Sequence, residues 1–212
     1  MLKITILFFY YDKSDWVKKY ALNSVLWSTY PEWELCVIDD SDEQNAEDVV
    51  NEFFEDNPQY EECRDRIKFY PTGDTKESKR RRGDSVFGIF GEKAMYETDG
   101  DICVMLCDDD ALCKDYLASL NCYYSLKENK EVPYSFGHLM PFPTKWCFEN
   151  GVKLDELKCV PYNKGIHLVD LNKRKACKPY NTLDSSQVSW RINKAKDIKL
   201  TFPSPLTKNI DA

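Results

Sequence analysis

Residues 102–110 have the sequence ICVMLCDDD, in which six apolar residues are followed directly by three aspartates. An uninterrupted apolar run of this length is typical of a parallel β-strand that is buried on both faces. Residues 4–9 (ITILFF) and 35–38 (LCVI) have the same character, and the second of these runs ends in Asp39 and Asp40. The three runs predict the core strands of one sheet.

Segments with a helical period separate these runs. Helices are predicted at residues 15–27, 85–98 and 114–127 and along the apolar stripe from Ala46 to Phe54, and a short strand is predicted at residues 67–70. Strands that alternate with helices predict an α/β fold, with a mostly parallel central sheet flanked by helices and joined by right-handed crossovers.

The pattern changes after residue 131. Prolines and glycines interrupt short predicted strands at residues 134–138 and 166–169, and a last helix is predicted at residues 184–194. We therefore expect a nucleotide-binding half at residues 1–130 and a smaller mixed half at residues 131–203. Residues 204–212 are predicted to be a tail or the start of a linker, so further domains are possible in a longer chain.

Composition excludes several classes of protein. The net charge of −7 argues against nucleic-acid binding, which needs a basic surface. The nine cysteines include no Cys-x-x-Cys pair and are odd in number, which favours reduced thiols in a reducing compartment. No apolar run at the amino terminus is long enough to span a bilayer. We expect a cytoplasmic protein without a membrane span.

The acidic residues after the predicted strands are candidate ligands. Ligands of parallel sheets bind at the carboxyl ends of the strands, where Asp12, Asp39-Asp40 and Asp108-Asp109-Asp110 are expected to meet. Adjacent carboxylates repel one another, and a bound cation would relieve that repulsion. Hard oxygen ligands suit Mg²⁺ or Mn²⁺ on a substrate phosphate. The alternative is a solvated acidic turn in which one aspartate caps the next helix.

Asp39 and Asp40 have two equally good interpretations. A carboxylate at this position can accept hydrogen bonds from a ribose hydroxyl or a base N–H, or it can be an ordinary acid of a loop. Neither a Gly-x-Gly-x-x-Gly fingerprint nor a Walker motif is present, so the dinucleotide and P-loop classes are not indicated.

Two segments resemble a known family. Residues 21–35 (ALNSVLWSTYPEWEL) with residues 37–41 (VIDDS) resemble the opening of family-two-type glycosyltransferases of the GT-A fold. So do Ala94, Gly100-Asp101-Ile102, the acidic triplet and residues 115–117 (DYL), and the resemblance covers residues 1–128. The chain is also similar to glycosyltransferase domains encoded by large algal viruses such as chlorella viruses, which would place it in host cytoplasm.

The resemblance implies a Rossmann-like GT-A domain that transfers a hexose or deoxyhexose from a UDP-sugar to an acceptor hydroxyl on a glycan or glycoprotein. Asp39 or Asp40 would contact uracil or ribose, and Asp108 the ribose. Asp109 or Asp110 would hold the Mn²⁺ or Mg²⁺, with Asp110 the favoured ligand. The remaining nucleotide contacts implied by the resemblance are Tyr10, Tyr11 and Asp12, which would flank the base.

For the basic residues and for the half at residues 131–203, the resemblance implies candidate roles that each have an alternative. Lys93 and the arginines Arg80, Arg81 and Arg82 are candidate cations for the diphosphate, the arginines on a loop that could close as a lid or simply be solvated. Asp184 is the candidate general base of an inverting enzyme, or the N-cap of a helix. His167 or His138 could complete the metal shell, although a lone histidine is more often structural.

Other functions fit the sequence less well. A non-catalytic nucleotide-sugar or glycan-binding module of the same fold is the main alternative, and the retained acidic triplet argues against it. A sugar nucleotidyltransferase needs a glycine-rich loop after the first strand, and residues 8–12 (FFYYD) contain no glycine. An aspartyl phosphohydrolase needs an aspartate pair there, which residues 12–14 (DKS) do not supply.

Overall fold

A computed structural model describes residues 1–73, 86–132, 134–136 and 188–199. The strands are β1 (Ile4–Tyr10), β2 (Trp33–Asp39), β3 (Ile67–Pro71), β4 (Ile102–Cys107), β5 (Tyr134–Phe136) and β6 (Val188–Arg191). They form one six-stranded sheet in the order β3-β2-β1-β4-β6-β5. The pairs from β3 to β4 are parallel, and β6 is antiparallel to both of its neighbours. The predicted mostly parallel sheet is confirmed.

Helices lie between the strands as the apolar periods predict. The first helical stretch is continuous and consists of α1 (Ser14–Trp16), a π-helical segment (Val17–Ala21) and α2 (Leu22–Leu26). The others are α3 (Ala46–Asp56), α4 (Val86–Glu97), α5 (Tyr116–Ser125) and α6 (Ile192–Asp197), with 3-10 helices at Pro58–Arg66 and Lys127–Asn129. In the described part of the chain, no helix combines the length and apolarity that a bilayer span requires.

The central strands separate two apolar cores. Every residue of β1 and β2 is buried, and successive side chains of a strand face opposite sides of the sheet. Ile6 and Phe8 therefore pack in one core with side chains of α2, α3 and α5, whereas Leu7 and Phe9 pack in the other with side chains of α4 and α6. Burial on both faces explains why these strands are apolar without alternation.

The predicted helix at residues 184–194 is wrong at residues 188–191 and correct at residues 192–194, and its first residues lie outside the described part of the chain. Residues 188–191 form β6, in which Trp190 pairs with Cys103 and Ser189 with Val104 of β4, and the helix begins only at Ile192. Trp190 is buried in the core beside α4, where its Nε1 lies 3.2 Å from Met95 Sδ. Pairing with β4 and burial of the indole outweigh the helical period that the sequence shows locally.

A polar network lies at the amino-terminal end of the sheet, opposite the end that carries Asp39-Asp40 and the acidic triplet. Glu34 is buried, and its carboxylate accepts hydrogen bonds from Thr5 Oγ1 at 2.8 Å and from Lys68 Nζ at 2.8 Å. Lys3 Nζ lies 3.1 Å from the same carboxylate, and the Thr98 hydroxyl also donates to it. Because both oxygens of the Glu34 carboxylate have partners, its buried negative charge is stabilised.

Gly100 is required by this network. A Cβ at residue 100 would lie 2.1 Å from Thr5 Oγ1 and 3.3 Å from Ile192 Cδ1. Since Thr5 is β-branched and its hydroxyl is bound to Glu34, it cannot turn aside without losing that hydrogen bond. The glycine therefore allows the chain entering β4 to approach β1 closely.

We expect Gly100→Ala to lower the free energy of unfolding by about 2–3 kcal/mol, a typical cost of overpacking, and the melting temperature by roughly 4–10 °C. The check is thermal and urea unfolding of Gly100→Ala, Thr5→Ala and the double variant. Removing the Thr5 hydroxyl should relieve the clash, so the double variant should lose less than the sum of the two singles. Strict additivity would contradict this account of Gly100.

Glu34→Gln should lower the free energy of unfolding by about 2 kcal/mol, because Lys3 and Lys68 lose their buried counter-charge. Burial opposes ionisation of Glu34, but hydrogen bonds from Lys68, Thr5 and Lys3 outweigh it and hold the pKa below its usual value. A lowered carboxyl pKa stabilises the fold above the unfolded-state pKa, and this stability is lost as the pH falls through the folded-state value. The wild-type advantage in melting temperature should therefore begin to shrink as the pH falls below about 4, near the unfolded-state pKa, and should be lost below the folded-state pKa.

The matched control for this substitution is Glu52→Gln, which removes an exposed partner of Lys18. It should leave the melting temperature nearly unchanged because exposed ion pairs contribute little. A Glu34→Gln deficit that stays the same from pH 7 to pH 3 would show that packing, not charge, is what the substitution disturbs.

Candidate active site at the carboxyl ends of the central strands

The parallel register brings the two acidic clusters to the same edge of the sheet. Tyr10, the last residue of β1, pairs with Asp39 of β2, and Phe9 pairs with Cys107 at the end of β4. Asp39-Asp40 at the end of β2 and Asp108-Asp109-Asp110 after β4 therefore lie on either side of the end of β1. The expected meeting of the strand ends is confirmed.

Asp108 is the most constrained member of the triplet. It is 4% exposed, and its Oδ2 accepts a hydrogen bond from the Tyr11 backbone N–H at 2.8 Å. Its Oδ1 accepts one from Lys13 Nζ at 3.0 Å. Burial raises the pKa of the Asp108 carboxyl, although Lys13 and the Tyr11 N–H partly offset that effect. A buried acid whose ionised form is disfavoured in this way is typical of functional sites.

Asp109 and Asp110 occupy different environments. Asp109 is about half exposed, and its Oδ2 accepts a hydrogen bond from Lys13 Nζ at 2.9 Å. Asp110 is 5% exposed, and its backbone N–H donates to Cys107 O at 3.2 Å, which closes the turn after β4. The triplet thus presents one half-exposed carboxylate between two buried ones.

The segment after this turn is tied to the first helical stretch. The Leu112 N–H donates to Ser24 Oγ at 2.9 Å, and that hydroxyl donates to Ala21 O at 2.6 Å. The Thr29 N–H donates to Lys114 O at 3.2 Å. These contacts fix the backbone that carries the triplet, which is the support that a binding site of defined geometry needs.

Lys13 is a site residue that the sequence analysis missed. It occupies the N-cap position of α1, and its ammonium bridges Asp108 and Asp109 although they lie about a hundred residues later in the chain. Burial disfavours the charged ammonium, but the hydrogen bonds that it donates to Asp109 and Asp108 prevail and raise the pKa of Lys13. Its position directly after Asp12 was the available signal, because a residue just past β1 belongs to the same edge of the sheet.

Asp39 organises the loop that follows β2. Its Oδ1 accepts hydrogen bonds from the Ser41 N–H at 3.0 Å and the Ser41 hydroxyl at 2.6 Å, and its Oδ2 accepts one from the Ala46 N–H at 2.8 Å at the start of α3. Asp40 is also buried, and its Oδ1 accepts a hydrogen bond from Thr72 Oγ1 at 2.9 Å. Three protein hydrogen bonds therefore already engage the Asp39 carboxylate, so the interpretation as a loop acid describes an observed role of this residue.

Asp12 and Tyr11, which follow β1, are hydrogen-bonded to the loop after β2. Asp12 has a positive φ of 52°, and its Oδ1 accepts hydrogen bonds from the Asp42 and Glu43 N–H groups at 3.1 and 2.9 Å. The Tyr11 hydroxyl donates to Asp42 Oδ2 at 3.1 Å, and Tyr11 is 37% exposed. The loops after β1 and β2 thus form one hydrogen-bonded surface beside the acidic triplet.

Tyr10 and Lys93 are placed less favourably than the resemblance implies. The Tyr10 side chain is fully buried in the core, and its hydroxyl has no hydrogen-bond partner among the described residues, so only its backbone could reach a nucleotide. Burial raises the pKa of Tyr10, as do the nearby charges of Asp12 and Asp39. Lys93 is more than half exposed on α4, 4.0 Å from Glu97.

The other predicted site residues lie outside the described residues. They are the loop arginines Arg80, Arg81 and Arg82, the histidines His138 and His167, and the candidate base Asp184.

The donor set of the triplet fits a hard divalent cation that also binds phosphate. Within the described ranges, no three His, Cys, Asp or Glu side chains are grouped so that they could hold a metal ion by themselves. Mg²⁺ and similar ions bind through one or two carboxylates, substrate phosphates and several waters, so a complete protein cage is not needed. Asp109 and Asp108 already share one cation, the Lys13 ammonium, which shows that their oxygens converge on a cation position.

The sequence matches no model of a known protein family. The fold, however, is similar to crystal structures of TarS from S. aureus. TarS 1-349 in complex with UDP-GlcNAc has a TM-score of 0.60 and 16% identity, over 99% of this chain and 51% of that chain. The complex of TarS 1-349 with UDP gives the same TM-score and identity, over 99% and 53% of the two chains. The chain has a GT-A fold.

A longer TarS structure gives a TM-score of 0.58 and 17% identity, over 95% of this chain and 30% of that chain. The present chain therefore spans about half of TarS 1-349 and less of the longer form. The GT-A fold that the resemblance implied is confirmed, whereas the roles of individual residues stay predictions.

Asp108→Asn should keep or raise the melting temperature at pH 7. A raised carboxyl pKa means that ionised Asp108 destabilises the fold at neutral pH, because the stability that its protonated form contributes is lost as the pH rises through the folded-state pKa. The neutral amide removes that penalty and can still accept the Tyr11 hydrogen bond. The measurement is thermal unfolding from pH 4 to pH 8, in which the advantage of the variant should shrink toward acid.

Asp109→Asn is the control, because it loses the same lysine contact from a half-exposed position and should change the melting temperature little. A typical destabilising substitution lowers the free energy of unfolding by about 1 kcal/mol. If Asp108→Asn lowers it by more than this at pH 7, Asp108 stabilises the fold and is not a residue kept for a ligand.

Proposed function

We propose that this protein is a glycosyltransferase that moves a sugar from a UDP-sugar to an acceptor hydroxyl on a glycan or glycoprotein, with Mn²⁺ or Mg²⁺ at Asp108-Asp109-Asp110. The observation that carries the proposal is the position of the triplet: it ends the central strand β4 of a GT-A fold, beside the ends of β1 and β2. The similar TarS structures contain UDP and UDP-GlcNAc, which is why UDP is the nucleotide proposed.

In this proposal each residue of the site makes a different contact with the donor or the metal. Asp110 is the main metal ligand, Asp109 is the more exposed partner, and Asp108 faces the ribose. Asp40 and the exposed Tyr11 contact the base or ribose from the other side of β1, with Asp39 and Asp12 holding the loop that carries this surface. When bound, the divalent ion would neutralise charge on the leaving diphosphate.

Other parts of the proposal rest on sequence alone. Residues 1–130 would be the donor half and residues 131–203 the acceptor half, with Asp184 as the base that takes the proton of the acceptor hydroxyl. Arg80, Arg81, Arg82 and Lys93 would add positive charge near the diphosphate, and His167 could complete the metal shell. A catalytic acid or base is not needed to expel UDP, because charge neutralisation makes the diphosphate a good leaving group.

The test is thermal unfolding with UDP alone, Mn²⁺ alone and both together. Ligand at 100 times its dissociation constant stabilises by about 2.7 kcal/mol, which corresponds to roughly 5–10 °C for a chain of this size. We expect a shift of this size only with both ligands, and its loss in Asp110→Asn. Asp99→Asn is the control, because Asp99 is an exposed acid near the opposite end of β4.

A wild-type protein that gives no shift with UDP under any divalent metal would refute the proposed donor. Binding followed by turnover separates the enzyme from a binding module: slow metal-dependent hydrolysis of a UDP-sugar is expected of the enzyme. A protein that binds UDP with Mn²⁺ but neither transfers nor hydrolyses any UDP-sugar would support the module.

A further inference from the structure

Lys13 occupies the position between two carboxylates of the acidic triplet. Its Nζ lies 3.0 Å from Asp108 Oδ1 and 2.9 Å from Asp109 Oδ2, while the other oxygen of Asp108 is bound to the Tyr11 N–H at 2.8 Å. The ammonium therefore holds the Asp108 oxygen that the Tyr11 N–H does not bind. A second cation that approaches this oxygen meets the ammonium at close range.

The ammonium can leave this position without disturbing the fold. The backbone of Lys13 is fixed, since its carbonyl accepts the Val17 N–H at 2.9 Å at the start of the first helical stretch. Its side chain is 43% exposed and flexible, and its charge is a compact one that also suits phosphate. The same lysine can thus neutralise the carboxylates in one state and a phosphate group in another.

We infer that Lys13 is the resident counter-cation of the acidic triplet and that it makes metal binding depend on the nucleotide diphosphate. This inference rests on the proposed function. Without nucleotide, the ammonium competes with a divalent ion for Asp109 Oδ2, and its positive charge opposes the approach of that ion to the triplet. With a diphosphate bound beside the triplet, the displaced ammonium gains a new anionic partner, so that metal and nucleotide each favour binding of the other.

The experiment measures Mn²⁺ affinity, by electron paramagnetic resonance of free Mn²⁺ or by calorimetry, with and without UDP. The proteins are the wild type, Lys13→Met and Lys18→Met. Lys18 is the matched control because it lies in the same helical stretch but pairs with Glu52. Lys13→Met should bind Mn²⁺ alone at least tenfold more tightly than the wild type. The factor by which UDP increases Mn²⁺ affinity should fall at least tenfold.

Lys13→Arg tests whether the charge is responsible. It keeps a cation at the position and should retain weak binding of Mn²⁺ alone and most of the coupling to UDP, whereas Lys18→Met should behave as the wild type throughout. Melting temperatures of all variants without ligand establish that they are folded.

Either of two results overturns the counter-cation role: an unchanged Mn²⁺ affinity in folded Lys13→Met, or an equal gain in Lys18→Met, which would indicate a general effect of net charge. Unchanged coupling to UDP in Lys13→Met would also refute the proposed exchange of partners. If Lys13→Met gains Mn²⁺ affinity but no protein binds UDP, the counter-cation role holds and the proposed UDP-sugar function fails. The two failures are therefore distinguishable.

Discussion

The parallel pairing of β1 with β2 on one side and β4 on the other is the constraint on which the rest of the structure depends. Because β1 pairs with β2 from Ile4 to Tyr10 and with β4 from Ile4 to Phe9, all three strands end at nearly the same level. The loops that follow must then share one edge of the sheet. Aspartates that are separated by about seventy residues in sequence lie on either side of β1. This edge of the sheet is a candidate site because it brings them close together.

Concentrating carboxylates at that edge is electrostatically unfavourable, and the structure shows how the charge is distributed. Backbone N–H groups donate hydrogen bonds to Asp12, to Asp39 and to one oxygen of Asp108, and these bonds stabilise the negative charge of the three carboxylates. The Lys13 ammonium bridges the remaining Asp108 oxygen and Asp109. The carboxylates therefore fall into two groups, those that shape the loops and those that converge on a cation position.

The two ends of the sheet use charge in different ways. At the amino-terminal end, Glu34 is enclosed by two lysines and two threonine hydroxyls, and this network lowers its pKa. At the carboxyl end, burial prevails over the single lysine and raises the pKa of Asp108. A carboxylate whose charge is well stabilised serves the fold, whereas one whose charge is under-compensated is suited to receive a further cation.

The sequence by itself determined the central sheet and the place of the triplet, because buried parallel strands are uninterrupted apolar runs and their ends are marked by the first charged residues. It failed at residues 188–191, where pairing with β4 decides the conformation, and it did not distinguish the loop-forming role of Asp39 from a ligand role. Only the tertiary structure showed that Lys13 bridges Asp108 and Asp109, since no local pattern relates residues that far apart. Strand identity follows from local hydrophobicity, but the partners of a charged side chain depend on which strand ends the register brings together.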